Sequence, residues 1–140
     1  MLPLGLVLDT NIIVSAALQP SGLPRTAFLM AITPPARVYV TREIFAEYEA
    51  VLARRELRIK KSLRRQFLDL ISNRARLVHP VRHIFAAKDL DDNKFLECCD
   101  EAKADYLVTG NAKHYPRFWK RTKIVSAREL VEIIAPHLRF

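Results

Sequence analysis

The chain has 140 residues, half of them hydrophobic. That is one domain with a single core, which excludes a two-domain enzyme and predicts one domain over 1–140. No apolar run approaches the roughly 20 residues of a membrane span, the N-terminal LPLGLVL has no basic flank, and 23 Lys and Arg against 15 Asp and Glu give a formal net charge of +8, so a soluble, unprocessed basic chain is expected.

Leu4 to Leu8 is an unbroken apolar run ended by Asp9, which predicts a strand buried on both faces, the type found in parallel sheets. Pro20, Gly22 and Pro24 break the helical stretch that follows, and a second short helix is predicted over 26–32. Val38, Tyr39 and Val40 form a short strand. Ile44, Phe45, Tyr48, Val51 and Leu52 then repeat at helical spacing, with Thr41 as N-cap. Another helix is predicted around Leu63, Phe67, Leu70 and Ile71. Leu77, Val78 and Val81 form a weaker strand candidate interrupted by Pro80. Phe95, Leu96, Cys99 and Ala102 return to helical spacing, and Tyr106 to Val108 form a strand ending in Thr109 and Gly110. Ile124 and Val125 make a last strand before a closing helix over 127–134 capped by Ser126. Strands alternating with helices require crossover connections, so the predicted fold is a three-layer α/β domain around a central parallel sheet.

The charge is unevenly placed. Residues 54–65 (RRELRIKKSLRR) carry seven basic side chains and one acid, residues 113–123 (KHYPRFWKRTK) carry five and none, and seven of the fifteen acids fall between Asp89 and Asp105. Basic flanks for a polyanion and acids for a metal are suggested, against the plainer reading of solvated helix faces. Tyr115, Phe118 and Trp119 lie among the basic residues, where they could stack on unpaired bases, although core burial is expected of at least Phe118 or Trp119. The adjacent Cys98 and Cys99 suit neither an ordinary disulfide nor a four-ligand zinc site, so they are read as packing residues in a reducing cytoplasm. His79, His83, His114 and His137 show no ligand spacing.

In an open parallel sheet, ligands bind beyond the carboxyl ends of strands where strand order reverses. The residues to inspect are therefore Asp9, Thr10 and Asn11 after the first strand, and Thr109, Gly110 and Asn111 after the Tyr106 strand. Asp92 precedes Phe95 by three and Cys99 by seven, so it extends a buried stripe and wants a cation or hydrogen bonds, unless it merely serves the helix N-terminus. Asp105 opens its strand and, at about 3.3 Å per residue, lies roughly 13 Å from Thr109, on the wrong edge. Spacing does not choose between Glu47 and Glu49, which flank the apolar stripe of their helix on opposite sides.

Taken together, LVLDTNIIVSA, IFAEYEAVL, DLDDNKFLECC and ADYLVTGNAKH resemble, in order and separation, the PIN-domain family, specifically its bacterial and archaeal branch of toxin components of toxin–antitoxin systems. The likeness runs nearly end to end. It implies a Rossmann-like sheet and a Mg²⁺- or Mn²⁺-dependent ribonuclease whose carboxylates converge from separate elements. Under that resemblance Asp9, Glu47 and Asp92 are the catalytic acids and metal ligands, Thr109 is a polar residue of the site, and Asn11 and Ser15 orient the first acid. Asn111 falls where many members have a fourth acid, a departure that leaves one tightly held ion and a second arriving with substrate phosphate. Phosphodiester hydrolysis needs an activated water, a polarised phosphate and a stabilised leaving oxygen, which one or two such ions supply. The expected partners are RNA, contacted through phosphates by Arg54, Arg55, Arg58, Lys60 and Lys61, a cognate antitoxin protein, and a second copy of the chain in a homodimer.

Two rivals stand beside this reading. Haloacid-dehalogenase-like phosphatases also begin with a strand running into an aspartate, but they want a second acid two residues later, where this chain has Asn11. The other rival is a PIN-like fold that has lost catalysis through Asn111 and serves as an RNA-binding or partner-binding module.

Overall fold

The computed structural model describes residues 3–137, with the side chain of His137 outside the described residues. Strand β1 (Gly5–Leu8) is buried along its whole length, as an unbroken apolar run demands when both faces of a sheet are covered. Helix α1 (Thr10–Leu18) follows, then α2 (Leu23–Ala31), β2 (Arg37–Val40), α3 (Arg42–Leu52), α4 (Lys61–Arg74), β3 (Arg76–Leu77), α5 (Asn93–Ala102), β4 (Tyr106–Val108), β5 (Phe118–Trp119), β6 (Thr122–Val125) and α6 (Ala127–Ile134). The strands form one sheet in the order β3-β2-β1-β4-β6-β5. All neighbours pair in parallel except β5 and β6. The chain therefore builds outward from β1 in one direction through β2 and β3, then returns to place β4 on the other side. That reversal lies between β1 and β4, whose registers pair Leu6 with Tyr106 and Leu8 with Val108.

The caps explain several boundaries. The Thr41 hydroxyl accepts from Ile44 N at 3.0 Å and starts α3, and Ser126 and Glu129 close a reciprocal capping box at the start of α6. Phe28 of α2 stacks on Phe67 of α4 with centroids 4.7 Å apart. Arg25 lies over the Phe67 ring and donates to the Ala16 and Ala17 carbonyls at 2.7 and 3.2 Å, satisfying the open end of α1. Helix α5 packs on β1, β2 and β4, its buried face built from Phe95, Leu96, Cys98 and Cys99. Burial pushes the Cys98 thiol up to about 12, so both cysteines act as packing residues.

Three expectations are corrected. Pro24 begins α2 instead of breaking it, because a proline in the first turn lacks only an N–H that has no helical partner. The strand expected from Leu77 to Val81 shrinks to Arg76–Leu77, pairing with Tyr39 and Val40 before Pro80, and Val81 is 83% exposed. Phe118–Trp119 forms an antiparallel strand on β6, where the sequence predicts none, so the sheet is mostly and not wholly parallel. On that hairpin Phe118 is exposed, whereas Trp119 is half-buried against the core and donates to Asp100 at 3.3 Å.

Candidate functional site

At the reversal point β1 delivers Asp9 and β4 delivers Thr109. The backbone ties the two ends together through Asp9 N donating to Val108 O at 2.9 Å. Both side chains are buried. Oδ2 of Asp9 accepts from the Thr109 hydroxyl at 2.8 Å and from the Tyr115 hydroxyl at 2.9 Å. Burial raises the Asp9 pKa above the ordinary carboxylate range, and the charge of Glu47 adds to it. The two hydroxyls and the Asn11 backbone N–H pull the other way without prevailing. Tyr115 is itself buried, and burial followed by the charges of Asp9 and Asp92 holds its hydroxyl protonated, a fixed donor to Asp9.

Asn11 sits on the first turn of α1. Its side-chain oxygen accepts from Gly110 N at 2.9 Å and its amide donates to the Thr109 hydroxyl at 3.4 Å, so it joins the two loops at the sheet edge. Ser15 lies one turn further along α1, half-buried, and its carbonyl accepts from Gln19 N at 3.0 Å. Asn111 is exposed, with its backbone N–H on the Thr109 hydroxyl at 3.0 Å.

Glu47 comes from the middle of α3, and the next residue, Tyr48, is anchored by its hydroxyl on the Leu8 carbonyl at the end of β1. One carboxylate oxygen of Glu47 accepts from the Thr10 hydroxyl, the other from Lys94 Nζ at 2.7 Å. Lys94 also reaches the Asp91 carboxylate at 3.0 Å and the Asp91 carbonyl at 2.6 Å. Burial works against its ammonium, but the bonds to Glu47 and Asp91 outweigh burial and raise its pKa above the ordinary lysine value.

Asp92 ends the short 3₁₀ turn Leu90–Asp92 and immediately precedes α5, without a side-chain capping bond to it. Its carboxyl is held up at about 6, first by partial burial, then by the charges of Asp9 and Asp89, against the opposing charges of His114 and Lys94. His114 Nδ1 stands 3.7 Å from it, and Lys88, Asp89, Leu90 and His114 line an open concavity there. Asp89 caps the 3₁₀ turn through Asp91 N at 3.0 Å. Asp105 lies apart, bonded to Gly5 N and paired with Arg121, both at 2.8 Å.

Asp9, Glu47 and Asp92 therefore come from three elements into one mutually repelling group. Thr10, already marked by its place after the first strand, belongs to it, and so do Lys94, Tyr115 and His114, which sequence reasoning did not assign to it. A lysine inside the apolar stripe of α5, three residues after Asp91, was the one available signal. Arg54, Arg55, Arg58, Lys60 and Lys61 are all exposed, and among the described residues none of them pairs with an acid. In the second basic stretch, Lys120 pairs with Asp100 at 2.7 Å and Arg121 with Asp105.

Among the described residues, no group of three or more His, Cys, Asp or Glu could by itself hold a metal ion. Two desolvated carboxylates, Asp9 and Asp92, with the charge of the first raising the pKa of the second, nevertheless fit Mg²⁺ or Mn²⁺, because such ions take hard oxygen donors and Mg²⁺ keeps several waters on one or two carboxylates.

The chain matches the family model described as PIN domain over residues 5–113. No curated protein matches it in sequence. Among solved structures it is similar to VapBC2 from Rickettsia felis, bound to a DNA fragment from their promoter, with 16% identity and a TM-score of 0.56, covering 88% of this chain and 98% of that one. It is also similar to FitAB bound to an IR36 DNA fragment, with 14% identity and a TM-score of 0.56, covering 87% and 94%. At these identities the likeness is one of fold.

Proposed function

The chain belongs to the PIN-domain family, and on that premise we propose that it is a Mg²⁺- or Mn²⁺-dependent endoribonuclease, the toxin of a toxin–antitoxin pair acting in the cytoplasm. One observation carries the reading. Asp9 and Asp92, 83 positions apart by their numbers, act on each other electrostatically at the sheet's reversal point, and among the described residues neither is paired with a lysine or arginine. Two desolvated, like-charged carboxylates without a lysine or arginine partner are stabilised by a cation.

Asp9 and Asp92 would hold the ion, with Glu47 in the same acidic group. When bound, the ion supplies Lewis acidity toward the phosphodiester and makes water easier to ionise. Thr109 and Tyr115 fix which Asp9 oxygen is engaged by protein, and both hydroxyls donate, so Asp9 stays oriented as a carboxylate. Asn11 holds the two loops in register, and His114 stands beside Asp92 with Nδ1 at 3.7 Å. Arg54, Arg55, Arg58, Lys60 and Lys61 would contact RNA phosphates. Among the described residues no helix is long and apolar enough to cross a membrane. The fold likeness to VapBC2 and FitAB supports a cognate antitoxin as partner, and a homodimer belongs to the same reading.

The test is cleavage of RNA by the purified chain with Mg²⁺ or Mn²⁺ and with chelator. Asp9→Asn and Asp92→Asn should each lower the metal-dependent rate by more than about a hundredfold while the fold persists. An undiminished rate in either variant overturns the assignment. RNA binding without any metal-dependent cleavage by the native chain favours the rival binding module, for which neutral Asn111 is the motivation.

A further inference from the structure

Lys94 is 5% exposed, unusual for an ammonium, and its three protons have three acceptors: Glu47 Oε1 at 2.7 Å, Asp91 Oδ1 at 3.0 Å and Asp91 O at 2.6 Å. Glu47 Oε2 accepts the Thr10 hydroxyl, so both Glu47 oxygens already have donors within the protein. Asp9 is different. Its two side-chain donors are neutral hydroxyls on the same oxygen, Oδ2. Among the described residues, the one ion-pair partner within reach of the Asp92 carboxylate is His114, at 3.7 Å. Lys94 is shared between Glu47 and Asp91, while among the described residues neither Asp9 nor Asp92 pairs with a lysine or arginine. Lys94 also binds the Asp91 carbonyl, which ties the turn bearing Asp92 to α3.

We propose that Lys94 is the built-in counter-ion of the acidic group, a positioning residue that keeps Glu47 outside the direct ligands of the divalent ion and reserves Asp9 and Asp92 as the pair that holds it. The proposal rests on the metal-dependent reading above. Moving Glu47 onto a metal would take from a buried ammonium its shortest carboxylate contact and leave Asp91 as its one acidic partner among the described residues, which is costly. Leaving the pair intact lets a Mg²⁺-like ion use two carboxylates and its own waters. Glu47 then acts on the ion only through Lys94 and through the placement of the Leu90–Asp92 turn.

Charge arithmetic makes this testable by calorimetric Mn²⁺ titration of the full chain. Glu47→Gln removes one negative charge and leaves Lys94 paired with Asp91 alone, so Kd should rise about tenfold or more, whereas Lys94→Gln removes the positive charge between Glu47 and Asp91 and should lower Kd by a similar factor. The double variant Glu47→Gln, Lys94→Gln restores the neutral balance, and its Kd should return to within about threefold of the native value. If Glu47 is a direct ligand, the double variant instead loses affinity as heavily as Asp9→Asn, and the proposal is overturned. A lower metal-free melting temperature in Lys94→Gln with an unchanged Mn²⁺ Kd also overturns it, since Lys94 would then be only a strut. Anomalous scattering from native crystals soaked in Mn²⁺ decides the matter without any variant. Mn²⁺ on Asp9 and Asp92 with Glu47 still on Lys94 supports the proposal, and a Glu47–Mn²⁺ bond overturns it. A native chain that takes up no Mn²⁺ overturns the metal-dependent reading and the proposal together, whereas uptake with Glu47 as ligand overturns the proposal alone.

Discussion

Asp92 carries a pH signature. Its carboxyl is held up at about 6 in the folded chain, whereas in the unfolded chain it releases its proton in the ordinary range near pH 4. The folded state therefore keeps the proton across that window. In the metal-free protein this contribution is complete below pH 4 or so and is lost as pH rises through about 6, by up to about 3 kcal/mol before solvent screening reduces it. Asp9, also raised, has the same sign. The expected outcome is a urea midpoint that falls between about pH 4.5 and 7 more steeply in the native chain than in Asp92→Asn. Equal slopes would show that Asp92 titrates normally. Tyr115 gives a second prediction at this scale. Tyr115→Phe removes one of two hydroxyl donors from a buried carboxylate, which should cost about 1.5 to 3 kcal/mol of stability near pH 7 and push Asp9 further toward its protonated form. Mn²⁺ affinity should then fall more at pH 6 than at pH 8, and a variant matching the native chain at both would remove Tyr115 from the site.

Short helices with specific ends position this site, so each element has its own weak point. Helix α3 holds Glu47 because Thr41 starts it and Tyr48 anchors it to β1. Helix α5 begins with Asp92 because the 3₁₀ turn capped by Asp89 feeds directly into it. The segment between α3 and α4 has a different character. It contains Arg58 in the left-handed region at φ 54° and an exposed cationic run without acidic partners among the described residues. Neutralising Arg58, Lys60 and Lys61 together should flatten the slope of log RNA affinity against log salt by about two to three units, because each cation removed from a phosphate releases one counterion fewer on binding. An unchanged slope would mean that this face is only solvated.

For the molecule as a whole, a divalent ion held as proposed at the reversal point would join β1 to the start of α5, and metal uptake and global stability would then be linked. At a free Mn²⁺ concentration about 100 times Kd the native chain should gain about 2.7 kcal/mol of stability, read as a rise in melting temperature of several degrees. Asp9→Asn should show no such rise. A melting temperature indifferent to Mn²⁺ in the native chain would place the acids outside any metal site.

Periodicity and caps made the helices around Ile44, Phe67, Phe95 and Leu130 legible in the sequence, and the unbroken run before Asp9 made β1 legible, because those features depend on neighbours within a few residues. The Thr41 and Ser126 caps are local for the same reason. Strand-end logic also located Asp9 and Thr109 at one edge and set Asp105 aside on the other, as the fold arranges them. What spacing left open was decided by contacts between distant residues. Resemblance, not spacing, preferred Glu47 to Glu49, and only packing brought Glu47 against Thr10 and Lys94. Tyr115 read as an aromatic among bases until the turn after β4 buried it against Asp9. Phe118–Trp119 became a strand because β6 offered it an edge. A short strand gains stability from its partner, and the environment of a charge is set by what surrounds it in space, so neither is written in any local window of the chain.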